Sequence, residues 1–195
     1  AVPERLTAAS NGACAAAQFI GAREDGSLWV YLETIGGGSG ARATKDGLDG
    51  VHVHMTNTSN LPVEALELEY PLTVLRYDLV DGSGGPGRFR GGMGLRRVYR
   101  AEAECRLRVD GSRLRTDPWG LAGGLPGGRA GFDFGGRSFV GGNGSLRAGD
   151  VAEVITAGAG GYGPPAARAR DAVARDVAER RLTRDAARAI YGAER

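Results

Sequence analysis

The sequence predicts an α+β fold that is mainly β: an irregular, glycine-rich sandwich or barrel-like body over residues 1–163, followed by a helical tail over 164–195. Three observations lead there. Short segments alternating apolar and polar residues recur through the first part of the chain, the pattern of half-buried strands. The chain holds 34 glycines among 195 residues, more than twice the ordinary share of roughly 7%. They have no collagen period and separate the alternating segments, so they read as tight turns. After Pro164-Pro165 glycine all but vanishes and an Ala- and Arg-rich pattern begins.

The first extended signal is "GSLWVYLETIGGGSG", where Leu28, Val30 and Leu32 alternate with Trp29, Tyr31 and Glu33 before a glycine run. A glycine-rich loop then delivers the chain to "VHVHM", a second alternating segment. With period two, His52 and His54 fall on one face and Val51, Val53 and Met55 on the other. Residues 63–80 begin helical and turn into a strand after Pro71, and "DGSGGPGRFRGGMG" is a turn-rich connection. "LRRVYRAEAECRLRVDGSRLRTDPWG" reads as a hairpin turning at Asp110-Gly111. Further short strands are expected at "AGFDFGG", "RSFVGG" and "DVAEVITAG". In the tail, Val173, Ala174, Val177 and Ala178 form a narrow apolar stripe, Asp171 with Arg175 and Asp176 with Arg180 are i,i+4 pairs, and Thr183 and Gly192 bound a second short helix.

With 42% hydrophobic and 25% charged residues and a formal net charge of +2, the chain reads as a soluble globular protein. The charges are scattered, and a nucleic-acid or anionic-membrane surface needs them clustered, so neither partner is expected. Lys45 is the only lysine, which leaves one candidate for Schiff-base or general-base lysine chemistry. Cys14 and Cys105 lie far apart without metal-type spacing, and no signal-peptide pattern or apolar run of the roughly 20 residues of a membrane helix is present, which together suit the cytoplasm. The opening "AVPERL", without an initiator methionine, suggests a processed or trimmed chain or part of something larger.

Two G-x-G-x-x-G strings, "GSGGPG" at 82–87 and "GAGGYG" at 158–163, lack the strand-turn-helix setting of a dinucleotide site and read as turns. No phosphate-cradling GK[ST] and no G-x-S-x-G nucleophile elbow occurs. The stronger signal is the His-x-His pair, which on a strand aims two imidazoles at one volume, as metal ligation or a base with its orienter requires. Two ligands do not complete a metal site, and a third would have to come from Glu33, Asp46, Asp49 or another chain. Glu33, at a strand end, is a candidate acid or base. Arg42 is a candidate clamp for a carboxylate or phosphate, Asn57 can donate and accept, and Gly36, Gly37 and Gly38 could let backbone amides approach a ligand. Against this stands the plainer reading that Glu33 and Asn57 only tie the loop down and that the histidines bond neighbouring turns. Trp119 reads as an aromatic plug over a turn-rich corner.

Several strings fit one pattern together: "YLETIGGGSGAR", "KDGLDGVHVHMTNTSNLPVEALELEYPL", "SGGPGRFRGGMGLRRVYR", "DPWGLAGGLPGG", "GAGGYGPP" and "ARDVAERRLTRDAARAIYG". In this order, over essentially the whole chain, they resemble the C-terminal part of the hydantoinase B/5-oxoprolinase family, which includes the α-type subunits of acetone carboxylase and related subunits of acetophenone carboxylase. The resemblance implies that members are several times longer and that their metal-site histidines and aspartate lie in an N-terminal part outside this sequence. His52 and His54 then stand in the family's HxHMTNT segment, with Val53 where threonine is common, lining or bracing a site whose metal is held elsewhere. It also implies a subunit or C-terminal fragment of an ATP-dependent cyclic-amide hydrolase, or of a ketone carboxylase, or a non-catalytic structural subunit of such a complex. Glu33, His52, His54 and Asn57 become the candidate catalytic residues, and Gly36, Gly37, Gly38 and Arg42 the candidate substrate-binding ones. No cofactor is expected on this chain alone. ATP with Mg and a transition metal, Zn or Mn, are implied in partner chains: a hydantoinase A-like subunit and the chain carrying the missing N-terminal part.

Overall fold

In the computed structural model, residues 2–13, 15–135, 137–139 and 142–192 are described. Two antiparallel sheets face each other across one core. The first has the order β2-β1-β5-β8, built from β1 (Ala15–Ala22), β2 (Leu28–Ile35), β5 (Cys105–Asp110) and β8 (Gly142–Leu146). The second has the order β3-β4-β9-β6-β7, built from β3 (Leu72–Leu79), β4 (Leu95–Ala101), β6 (Gly131–Phe134), β7 (Arg137–Phe139) and β9 (Val151–Ile155). This is the expected mainly-β body, a sandwich whose inward residues alternate along each strand.

Period two decides which side chains meet. Ala15, Ala17 and Phe19 of β1, Trp29, Tyr31 and Ile35 of β2, and Leu107 and Val109 of β5 are buried from one side. Tyr99 of β4, Val154 of β9 and Phe132 of β6 meet them from the other. The rings of Phe19 and Tyr99 lie 4.9 Å apart across the sheets. Gly21, paired with Trp29, gives the indole its room, since a side chain there would overlap the ring.

Three expectations need correction. The hairpin expected to turn at Asp110-Gly111 does not form: among the described residues no strand follows β5 until β6, and β5 pairs with β1 and β8 whereas β4 pairs with β3 and β9 in the other sheet. The chain crosses between sheets at residues 102–104, and the Asp110-Gly111 pair merely ends β5. The Asp176–Arg180 pair is also absent, because Asp176 is buried and takes Arg168 as its partner at 2.7 Å. The "VHVHM" segment is not a strand. Only Val51 forms an isolated bridge, to Gly37, and a turn follows at His54-Met55.

Helix α1 (Val63–Glu69) precedes β3, and the tail comprises a 3-10 turn at Pro165–Ala167, α2 (Arg170–Ala178) and α3 (Arg184–Tyr191). Thr183 caps α3 by accepting from the Ala186 amide at 3.2 Å, and Gly192 ends it in the left-handed region at φ 63°. A buried ion network fastens the tail to the body. Arg168 holds Asp46 with two bonds of 2.8 Å and reaches Asp176, while Arg90, 2% exposed, binds Asp49 at 2.8 Å. Cys105 is a free, buried thiol pushed up to about 11 by burial and by the neighbouring Glu104; Cys14 lies outside the described residues. Among the described residues no helix is long and apolar enough to cross a membrane.

Candidate functional site

Glu33 sits on the inward face of β2, near the strand's end, and is buried. Its carboxylate receives Arg97 Nη1 and the Tyr31 hydroxyl through one oxygen, with the Tyr99 hydroxyl at 3.4 Å. The other oxygen accepts the Leu61 amide at 2.8 Å. Arg97 comes from β4, so the pair bridges the two sheets through the core. The guanidinium lies over the Tyr77 ring at 4.6 Å and near that of Tyr99 at 5.3 Å, with Nε and Nη2 finding no hydrogen-bond acceptor among the described residues. Burial, foremost, pushes the hydroxyls of Tyr31 and Tyr99 far above the ordinary phenol range, with the charge of Glu33 adding to it, so both remain donors to the carboxylate. Glu33 is therefore a braced interior charge rather than an open acid at a strand end, and its bond to Leu61 makes it an anchor for the loop before α1.

That loop, residues 52–61, carries the histidines. It is tied along the end of β2 at three points: the Leu61 amide on Glu33, the Thr58 and Thr34 hydroxyls 2.5 Å apart, and the Asn60 side chain on the Thr34 carbonyl at 2.8 Å. Tyr77 of β3 adds a fourth by donating to Asn60 Oδ1 at 2.6 Å. Asn57 is exposed, and Asn60, three residues on, does the tying that was expected of it. Within the loop, His52 is half-buried with Nδ1 3.0 Å from the Thr56 hydroxyl. That contact orients the ring. When Nδ1 holds the proton, Nε2 is free to accept another, and in the other tautomer the roles reverse. His54 is exposed and takes φ 65°, an uncommon conformation for a residue with a Cβ, although histidine tolerates it better than most. The turn it makes breaks the period-two geometry that would have set both rings on one face.

Gly36, Gly37 and Gly38 are buried. The Gly37 and Gly38 amides already donate to Val51 and Ala157 carbonyls at 2.9 and 3.0 Å. A Cβ on Gly38 would overlap the Gly92 carbonyl oxygen, so this run serves close packing of backbone on backbone. Arg42 is exposed in a turn closed by its own amide on the Lys45 carbonyl at 3.0 Å. The acids considered as third metal ligands are occupied: Asp46 by Arg168 and the Arg90 amide, Asp49 by Arg90, Arg181 and the Met93 amide, Glu33 by Arg97. Among the described residues no three of His, Cys, Asp and Glu gather to hold a metal ion. The donors here do not fit one.

What the geometry offers is an exposed imidazole and an oriented, half-buried one on a hydroxyl-rich loop, held by a rigid anchor beneath. Arg97 and Asn60 were missed from sequence. A signal for Arg97 existed, since in "LRRVYRA" it shares its parity with Leu95, Tyr99 and Ala101, all buried.

Comparison with known proteins adds a frame. The sequence model of the hydantoinase B/oxoprolinase family matches residues 1–165. An uncharacterized protein of Methanocaldococcus jannaschii is 40% identical over 93% of this chain, which covers 32% of that protein. 5-Oxoprolinase 1 of Arabidopsis thaliana is 37% identical over 68% of this chain and 11% of its own length. The chain thus spans a third or less of these relatives. Two solved structures share the fold with a TM-score of 0.78: an ATP-dependent caprolactamase from Pseudomonas jessenii, 25% identical over 98% of this chain and 36% of that one, and a nucleotide-free acetone carboxylase, 20% identical over 97% of this chain and 31% of that one.

Proposed function

Because this chain belongs to the hydantoinase B/oxoprolinase family, we propose that it supplies the histidine-loop portion of an ATP-dependent cyclic-amide hydrolase of hydantoinase or 5-oxoprolinase type. In this reading it works with a hydantoinase A-like, ATP-using subunit and with the remaining, N-terminal part of the hydantoinase B fold, in the cytoplasm. A cyclic amide resists hydrolysis because its carbonyl is a poor electrophile and its ring nitrogen a poor leaving group. Transfer of a phosphoryl group from ATP to the carbonyl oxygen makes the carbon electrophilic. Water adds to it, the C–N bond breaks as the nitrogen takes a proton and leaves as the amine, and a second water releases phosphate from the resulting acyl phosphate. What the protein must supply is proton management and the positioning of water. ATP with Mg, and a Zn or Mn ion, belong to the partner chains.

The observation that carries this reading is the loop at 52–61, with two imidazoles held on four side-chain ties to β2 and β3. His54 is the candidate acid-base group, exposed where a reacting ring could reach it. His52, steadied by Thr56, and Asn57 bracket it. Glu33 is assigned a positioning role, through Leu61. Arg42 remains a candidate for substrate carboxylate or phosphate, its guanidinium being exposed. The likeness to an ATP-dependent caprolactamase favours a cyclic amide. Ketone carboxylation is the second reading, favoured by a 33% identical stretch of 99 residues shared with the acetone carboxylase alpha subunit of Xanthobacter autotrophicus.

The test is reconstitution with the ATP-using subunit and the remaining fold, followed by ATP-dependent turnover of 5-oxoproline, a hydantoin and caprolactam, against acetone with bicarbonate. Ring opening coupled to ATP consumption supports the first reading. Carbon dioxide fixation without ring opening replaces it by the second, and normal turnover with His54→Ala would leave this chain a structural subunit.

A further inference from the structure

We infer that the outward face of β1 and β2 is the seat on which the rest of the hydantoinase B-type fold docks, with the histidine loop lying along the seam. This rests on the reading that the activity belongs to a larger assembly, and it specifies where that assembly closes.

The strand β2 is patterned for two covers. Its inward residues fill the core, yet on its outward face Leu28, Val30 and Leu32 are 72, 48 and 60% exposed. A sheet with one wet face carries polar residues there, and an edge strand in particular is normally blunted with charge. Here β2 is the edge of its sheet and shows three aliphatic side chains in a row. The patch extends inward across the ladder, where Val30 pairs with Ile20 of β1. It is bounded on the far side by Arg106 of β5, opposite Ile20. An aliphatic stripe edged by a guanidinium asks for an apolar partner surface with carboxylates on that border.

The occupant follows from length. In the two solved structures that share this fold, the matched region is 36 and 31% of the chain, so about two thirds of each chain lies outside the matched sandwich. A second copy of this chain would have to present the same arginine-edged border to itself, which is the less favourable match. Position adds a functional consequence. The next outward residue of β2 after Leu32 is Thr34, whose hydroxyl meets Thr58 and whose carbonyl holds Asn60. The aliphatic stripe therefore runs directly into the loop of His52 and His54, on which Met55 is 76% exposed. A body seated on the stripe would border that loop.

The experiment uses the full chain with a polypeptide carrying the remainder of the fold from the same genome, supplied as a separate chain. Val30→Asp and Leu32→Asp should each weaken the association at least tenfold, while Val151→Asp, on an exposed position of the other sheet, should leave it unchanged. Three exposed aliphatic side chains on an edge strand favour self-association of the isolated chain, so the same two variants should make it more nearly monodisperse, and circular dichroism should show the fold retained. Amide exchange over 18–22 and 28–34 should slow on complex formation. Association within threefold of wild type for both variants, protection confined to another face, or a symmetric dimer of this chain that keeps the stripe buried when the remainder is present would each overturn the inference. Turnover is not read, so a failure of the proposed chemistry leaves this result standing, and the reverse.

Discussion

At the scale of single residues, Glu33 and His54 carry opposite kinds of cost. Glu33 is an interior charge whose stability depends on Arg97, and removing one member of a buried pair leaves the other charged and uncompensated at a cost of about 3–5 kcal/mol. Glu33→Gln should therefore lower the melting temperature sharply, and Glu33→Gln combined with Arg97→Met should recover part of the loss; if the single variant melts like wild type, the pair is not the anchor described. His54 instead holds a strained backbone on the surface, with φ 65°, worth about 1 kcal/mol or more. His54→Gly should raise stability by a fraction of that strain while turnover of the assembled complex falls about 10²-fold, the usual contribution of an acid-base group. A variant that loses stability and keeps activity would reverse both assignments. Sequence alone could pair His52 with His54 only by assuming a strand through both, and the turn at His54 defeats that assumption. It could likewise not see that Glu33 faces inward, because an acid at an inward position becomes visible only with its partner, 64 residues away on the other sheet.

At the scale of elements, the strands and helices with strong periodic contrast were legible: β2, the α1-to-β3 change at Pro71, β9 and the two tail helices, the second with its Thr183 cap. β1 was not, since "AAAQFIGA" offers alanine on both faces and so almost no contrast, although Ala15, Ala17 and Phe19 are buried in strict alternation. The β4–β5 crossover was illegible for a different reason. An Asp-Gly pair after an alternating segment suggests a hairpin turn, but no strand returns from Asp110-Gly111, and only the pairing of the whole sandwich sends β4 and β5 to different sheets. The attachment of the tail is also non-local, resting on Asp46 and Arg168. Burial would raise the Asp46 carboxyl, but the two bonds and the charge of Arg168, with the Arg90 amide, outweigh it and hold it below the ordinary carboxylate range. A carboxylate depressed in the folded state contributes stability above its unfolded value of about 3.9, and loses that contribution as pH falls through its folded value. Asp46→Asn should thus destabilise the protein at neutral pH and flatten the decline of stability below about pH 4, measured by denaturant unfolding across pH. An unchanged acid limb would assign that decline to other carboxylates.

At the scale of the whole molecule, two features point beyond this chain. One is the aliphatic face of β2. The other is the saturation of acids by arginines, and it leads to a prediction about metal. A closed metal site needs three or four ligands with lone pairs to spare. His52 and His54 could supply two, but the nearest acids in sequence have none to give: Asp49 accepts from Arg90, Arg181 and the Met93 amide, and Asp46 from Arg168 and the Arg90 amide. Freeing either would strip a partner from an arginine that is 2% exposed on its side chain, and the loss would exceed what a loosely held ion returns. The expected outcome is that this chain, purified by itself and dialysed, retains well under one equivalent of zinc or manganese, whereas the assembled complex retains metal through ligands on the other chains. His52→Ala and His54→Ala, singly or together, should leave the metal content of the complex unchanged while lowering its turnover. Elemental analysis showing about one ion per isolated chain, lost on replacing either histidine, would instead make the loop a metal site in its own right and the arginine network a support for it.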